Sequence, residues 1–335
     1  MPAIRKALLA AVAMALLAGA CGGSDRSITV YSGRTENLIG PLLADFTEET
    51  GIEVAVKYAG SADLAVLISE EGDRSPADVF ISQSPGAIGF LAEAGRLRQL
   101  DDAVLELVDS DFRNQAGLWI GLSGRVRVLV YNTDLADPAT LPASVFDLTE
   151  ARFEGQVGVA PANGSFQDFV TAMREIHGDD TTLAWLEGLE ANNAQTYANN
   201  TAIVQAVGRG EVPFGLVNHY YNLRLQAEDP ELASENYFFP NGDIGSLLIA
   251  TAAGVLDSSD DADLAAEFIG FMLGETAQRF YSAETLEYPL AAGVAGSAAL
   301  PELATLNVAT YDFDRLGGGL ERTKDLIDAS GLEAP

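Results

Sequence analysis

The sequence predicts an α/β protein. Short apolar runs of strand length alternate with amphipathic stretches along nearly the whole chain, the pattern of repeated strand and helix. Gly, Pro, Ser and Asn punctuate the changes from one to the other. The chain has 335 residues, 48% of them hydrophobic, enough for about two domains with full cores.

The elements follow in order. SITVYSG (27–33) is a strand broken at Gly33. ENLIGPLLADFTEETG then brings Leu38, Leu42, Leu43 and Phe46 onto one helical face. IEVAVKYAG is a second strand, and SADLAVLISEEG a helix with Ser61 as its N-cap. ADVFISQSPGAIGFLAEAG repeats the scheme, with Ser84 as N-cap and Pro85 at the first helical position. RVRVLVYN (125–132) is a long apolar strand. GQVGVAPANGSFQDFVTAMREI reads as strand, loop and helix, with Ser165 and Asp168 spaced as a capping box. NNTAIVQAVGRG begins a helix at Asn200 and closes it near Gly208. VPFGLVNHYY is a strand with Tyr220 and Tyr221 at its exit. GSLLIATAAGVL is another strand, and DADLAAEFIGFMLGETAQRFYS one long amphipathic helix. The chain has no internal repeat and no low-complexity linker.

Residues 1–20 stand outside this pattern. Arg5 and Lys6 precede ALLAAVAMALLAGA, a positive segment followed by an apolar one of signal-peptide length. The only cysteine, Cys21, comes next, followed by GGSDRS. This resembles a bacterial lipoprotein signal, which implies cleavage before Cys21, lipidation of that residue, and a tether over 21–26. Ala18, three residues before the cysteine, is a less usual residue there than leucine, and the alternative is an ordinary secretory signal that contains a cysteine. With one cysteine there is no disulfide. No further segment has about 18 uninterrupted apolar residues, the length of a spanning helix. The balance of 49 acidic against 19 basic residues, net −30, argues against nucleic acid, whose phosphates demand a basic surface. It otherwise describes a solvated exterior and names no ligand.

Several polar loops share one context. YSGRTEN, SQSPG and PANGSF each follow a strand and precede a helix N-terminus. NHYYN also leaves a strand, and Asn199 and Asn200 open a helix. In open α/β sheets the carboxyl ends of strands line the binding crevice. Helix N-termini there direct free N–H groups and partial positive charge at the ligand, which suits an anion. Sulfate, phosphate, a phosphonate or an amino acid would each fit that description.

The motifs in combination are more specific. ITVYSGRTENL, EEGDRSPADVFISQ (70–83), LSGRVRVLVYN (122–132), NGSFQDF (163–169), EVPFGLVNHYYN (211–222) and LEYPLAAGV (286–294) occur in this order. Together they resemble the ferric-iron-binding proteins of bacterial ABC transporters, the periplasmic bacterial transferrins, over nearly the whole exported chain. The Asn-x-Tyr-Tyr element is the most diagnostic part.

The resemblance implies a two-lobed periplasmic-binding-protein fold of type II, each lobe α/β, with two hinge strands crossing near 125–130 and 245–250. The first lobe would be 27–126 plus 250–300, the second 127–249 plus 301–335. In that family consecutive tyrosines bind Fe³⁺ as phenolates, and the motif falls on Tyr220 and Tyr221. Phenols titrate near pH 10, but a trivalent cation dominates the local field, and hard oxygen donors suit it. A histidine that many members supply falls at Thr35, a tyrosine of some members at Glu36, and a glutamate of others at Gln83. Glu36 is the candidate for a first-loop ligand, with a plain helix-dipole acid as the alternative. The family's synergistic anion, such as carbonate or phosphate, would be held by Asn163, Gly164, Ser165, Asn200 and Asn218. Arg34 and Arg125 would fork onto it, unless they form buried ion pairs. Ser32 and Ser84 complete the cleft candidates. His177 is expected on the surface, and His219 to point away from the tyrosines.

By the same resemblance the protein is an exported lipoprotein, anchored through Cys21 and monomeric. It would pass iron to an ABC permease and its ATPase. The same fold would serve a receptor for sulfate, phosphonate or polyamine, or a sensor domain of a membrane kinase. An enzyme is disfavoured: the chain lacks a nucleophile elbow, HExxH and a P-loop.

Overall fold

The computed structural model describes residues 26–309 and 319–332. The leader over 1–20 and Cys21 lie outside the described residues, as does all of the tether except Arg26. The chain opens with β1 (Ser27–Ser32), α1 (Glu36–Thr50), β2 (Glu53–Tyr58), α2 (Ser61–Glu71), β3 (Val79–Ser82), α3 (Pro85–Glu93), β4 (Leu97–Arg98), α4 (Asp102–Leu105) and β5 (Ile120–Asn132). There follow β6 (Val157–Val159), α5 (Gly164–His177), α6 (Asp179–Ala191), β7 (Gln195–Thr196), α7 (Asn200–Gly208), β8 (Phe214–Asn218), α8 (His219–Glu228) and β9 (Ser234–Tyr237). The rest is β10 (Leu248–Leu256), α9 (Ala262–Met272), α10 (Glu275–Ala283), β11 (Tyr288–Pro289) and α11 (Leu320–Ser330).

The strands lie in the order β2-β1-β3-β10-β5-β8-β6-β7, with β4 on β10 and both β9 and β11 on β5. Strand β5 is the join. Its first part, up to Val126, pairs with β10 and β11. From Arg127 onward it pairs with β8 and β9. Two half-sheets therefore share one strand, and the change of partner falls between Val126 and Arg127. All 13 residues of β5 are buried, as a central strand covered on both faces requires. The loops at the carboxyl ends of β1, β3 and β6, and the helix start directly after β8, hold most of the polar residues singled out above.

Helix α11 docks on the second half. Arg174 donates to the Gly319 carbonyl (2.9 Å), the Thr171 and Thr323 hydroxyls bond at 2.7 Å, and Arg322 pairs with Asp179 at 2.7 Å. Among the described residues no helix is long and apolar enough to cross a membrane.

Several local expectations are corrected. Gly60, not Ser61, caps α2, because the Ser61 hydroxyl accepts the Gln83 N–H at 2.9 Å. Asn163 caps α5 through a bond from the Ser165 N–H, so Ser165 and Asp168 form no capping box. The long helix expected near the end of the domain is two helices, α9 and α10, broken at Leu273 and Gly274. Tyr220 and Tyr221 do not lie in a loop at a strand exit: α8 starts at His219, directly after β8.

Candidate functional site between the two half-sheets

Position in the first turn of α8 explains the tyrosine pair. Strand β8 ends at Asn218, and the turn that follows points both phenol rings the same way. Their centroids are 4.3 Å apart and their planes 29° from parallel. Tyr220 is buried and Tyr221 half-buried. Burial raises the Tyr220 pKa, and Tyr221 adds to the rise, while Arg125 and Arg34 pull it down. His219 spends both ring nitrogens on the backbone. Its Nδ1 accepts the Val126 N–H at 3.1 Å, and its Nε2–H donates to the Leu286 carbonyl at 2.8 Å. Burial holds its pKa down to about 4, so the ring is a neutral structural prop, and it packs edge-on against Tyr220 with centroids 5.8 Å apart. His177 is exposed at the end of α5 and packs edge-on to Phe146.

A polar cluster faces this pair from the second half. The Asn163 carbonyl oxygen accepts from the Ser165 hydroxyl (2.7 Å) and from Asn200 Nδ2 (3.1 Å). Asn200 Nδ2 also bonds the Ser165 hydroxyl at 3.1 Å. Arg127 Nη1 reaches Ser165 Oγ at 3.4 Å and Asn218 Oδ1 at 3.3 Å. So the structure brings Asn163, Ser165, Asn200 and Asn218 together, and adds Arg127. Gly164 stands exposed beside them, with open space where a Cβ would be. Arg127 is buried, and among the described residues its Nε and Nη2 have no partner, nor has Asn218 Nδ2. Burial pulls the Arg127 pKa down to about 10 against the pull of Tyr221, Tyr220 and Asp168. The guanidinium is thus charged at neutral pH with free donors, an arrangement that calls for an explanation.

The first half is built differently. Arg34 forms an ion pair with Glu287, both side chains fully sealed. Ser123 Oγ donates to the other Glu287 oxygen at 2.5 Å. Burial works against the Glu287 charge, but Arg34, Arg125 and Ser123 together hold its carboxyl below the usual range. Arg125 spends its terminal nitrogens on Thr251 Oγ1 (3.0 Å) and on the Gln83 carbonyl, leaving Nε unpartnered. Arg34 keeps Nε and Nη1 unpartnered. Ser32 folds the first loop, donating to the Arg34 carbonyl (2.9 Å) and accepting the Arg34 N–H (3.0 Å).

Two candidates of the first loop lie apart. Thr35 and Glu36 are exposed at the start of α1. Thr35 Oγ1 bonds Asn37 at 2.6 Å, and Glu36 acts on Tyr58, adding to the upward shift that burial gives that phenol. Ser84, Gln83, Ser61, Asn163, Ser165 and Asp168 line a cavity of about 710 Å³ between the halves, whose wall does not include the tyrosines. Burial raises the Asp168 carboxyl to about 6, although Ser84, Arg125 and Arg127 pull it down. No group of three His, Cys, Asp or Glu side chains among the described residues forms a ready metal cage.

Sequence reasoning passed over Arg127 and Glu287 and gave Asp168 only a capping role. Arg127 carried a signal, since alternation along RVRVLV puts it on the same face of β5 as Arg125. Glu287 lies 253 residues from Arg34, and nothing local announces such a pair.

A family model described as bacterial extracellular solute-binding protein matches residues 74–315. The Fe(3+)-binding periplasmic protein of Serratia marcescens is 31% identical over 97% of this chain and 96% of its own length. The iron-bound structure of HitA from Pseudomonas aeruginosa superposes with a TM-score of 0.85 at 34% identity, covering 91% of this chain and 99% of that one. The Trichodesmium protein solved with iron and citrate gives 0.82 at 27% identity, over 92% of this chain and 100% of that one. The expected two-lobed type II fold is therefore the fold of this molecule. By model and by relatives, the chain belongs to the bacterial extracellular solute-binding proteins, a family of binding proteins rather than of enzymes.

Proposed function

We propose that this protein captures ferric iron together with a synergistic anion between its lobes and delivers it to an ABC importer. The observation that carries the reading is the stacked Tyr220–Tyr221 pair set against buried donors that lack partners. The chemistry is consistent. Two phenolates on Fe³⁺ leave one net positive charge, and an anion such as carbonate or phosphate cancels it while filling coordination positions. Asn163, Gly164, Ser165, Asn200 and Asn218 would hold that anion, with Arg127 as its main charged donor and with the free nitrogens of Arg34 and Arg125 behind it. Phenolate favours the harder ferric ion over ferrous. The relatives named for Fe(3+), and those solved with iron, support the same cargo.

The lobes would be 27–126 plus 250–300 and 127–249 plus 301–335. The change of partner along β5 after Val126, and the docking of α11 on α5 and α6, support these bounds. Closure follows from differential affinity of the loaded ligand for the shut state. Lipidation of Cys21 would keep the protein at the membrane beside the permease and its ATPase.

The test is a visible absorption titration with ferric citrate in carbonate buffer. The wild type is expected to develop a phenolate-to-iron charge-transfer colour, and Tyr220→Phe/Tyr221→Phe to develop none. A wild type that stays colourless and binds no iron sinks the reading. The free Arg127 donors favour a second reading in that event, a receptor for phosphonate or sulfate, which calorimetry with those anions alone would detect.

A further inference from the structure

Arg224 sits four residues after Tyr220, on the same face of α8. Its guanidinium lies over the Tyr220 ring, 4.6 Å from the centroid. Its Nη2 donates to the Thr285 carbonyl at 2.7 Å. Thr285 belongs to the other half of the molecule, in the segment that leads from α10 into β11. The next two residues are held as well. Leu286 offers its carbonyl to His219 at 2.8 Å, and Glu287 pairs with Arg34. Three consecutive residues thus each take a donor, two from the tyrosine helix and one from the first loop.

Two further features single out this segment. Leu286 adopts a left-handed backbone with φ 54°, a conformation that a branched side chain rarely takes and that persists only where its surroundings impose it. Arg224 also projects beyond its own half. A cavity of about 280 Å³ is walled by Asn37, Leu38, Pro41, Phe280, Glu284 and Thr285 of the first half, and Arg224 is the one lining residue from the second.

We infer that Arg224 is a positioning residue: it clasps the Tyr220-bearing helix to segment 285–287 and so keeps the two halves shut around what the tyrosines hold. The cargo in this statement rests on the iron reading; the clasp does not. The geometry suits arginine in particular. A flat guanidinium meets the ring with its face and the carbonyl with its edge at once. These contacts span the halves, so they favour the closed population and slow release.

The experiment compares wild type, Arg224→Gln and Arg224→Lys. A competing hydroxamate chelator strips ferric iron from the loaded protein, followed by loss of colour. Amide hydrogen exchange of Thr285–Glu287 is measured separately on the iron-free protein. Arg224→Gln is expected to release iron about tenfold faster, the scale of a desolvated cation–π contact, with the colour band in its wild-type position. Exchange over 285–287 should quicken severalfold. Arg224→Lys, which keeps the charge, should recover part of the retention. Release at the wild-type rate overturns the clasp, and so does unchanged exchange. A displaced colour band also overturns it, since Arg224 would then act on the bound metal directly. If wild type takes up no iron, the iron reading fails by itself, and exchange alone decides the clasp.

Discussion

Arg34 and Arg127 are both sealed from water, at 1% exposure each, yet they keep different company. Arg34 has Glu287 against it, and although burial works against its charge, Glu287 and the nearby phenols Tyr220 and Tyr281 bring its pKa above the usual value. Arg127 has no ion-pair partner among the described residues, and burial brings its pKa down. The carboxylates of the two regions differ in parallel. Glu287 is held below the usual range, while Asp168 is raised to about 6. The first half pairs its buried charge within the protein, although Arg34 and Arg125 keep spare N–H groups, whereas the buried charge of Arg127 in the second has no carboxylate against it among the described residues. On the proposed function, that open charge is the one an anion would complete.

The sharpest way to break this comparison is to remove the partner of Arg34. Glu287→Gln leaves a buried guanidinium alone, and unfolding in urea should show a loss of about 3–5 kcal/mol. A loss below about 1 kcal/mol would mean the pair contributes no more than a surface one. Arg127→Met should behave in the opposite way. Stability is expected to hold or to rise by about 1 kcal/mol, as when a poorly compensated buried charge gives way to an apolar side chain. Iron retention in carbonate should fall by about tenfold or more, the scale of one lost charge-assisted bond. If Arg127→Met destabilises the fold as Glu287→Gln does, the distinction between the halves is lost.

The smallest effect sharpens the comparison through pH. The folded pKa of Asp168, about 6, lies above its ordinary 3.8. Between those values the native state binds the extra proton, so its contribution is full below pH 3.8 and is lost as pH rises through 6. For this half-buried group the loss, discounted for solvent screening, is about 1 kcal/mol. Asp168→Asn should therefore gain about that much on wild type by pH 7, measured by denaturation of the iron-free protein.

Much of the fold was legible because its signals are local. Apolar runs of strand length marked β1, β5 and β10, and Ser84 with Pro85 marked the start of α3. Errors fell where two local signals competed. Ser61 and Ser165 both read as N-caps, but their hydroxyls serve bonds that cross between elements. The helical start at His219 was hidden because α8 carries no clear apolar stripe, so Tyr220 and Tyr221 read as the tail of a strand. In the candidate site, the segments 163–165 and 218–221 were identified by their place after strands. Glu287, Asp168 and the contacts of Arg224 were not, because each is defined by a partner tens to hundreds of residues away.

Strand β5 joins the two half-sheets. That same strand gives the halves a common fate in unfolding. Neither half-sheet can come apart without taking a central strand from the other, and the pairing of Val126 with Leu248 and of Arg127 with Asn218 puts both ladders on adjacent residues of one backbone. The shared strand should therefore couple the halves in unfolding, and denaturation is expected to show one transition rather than two.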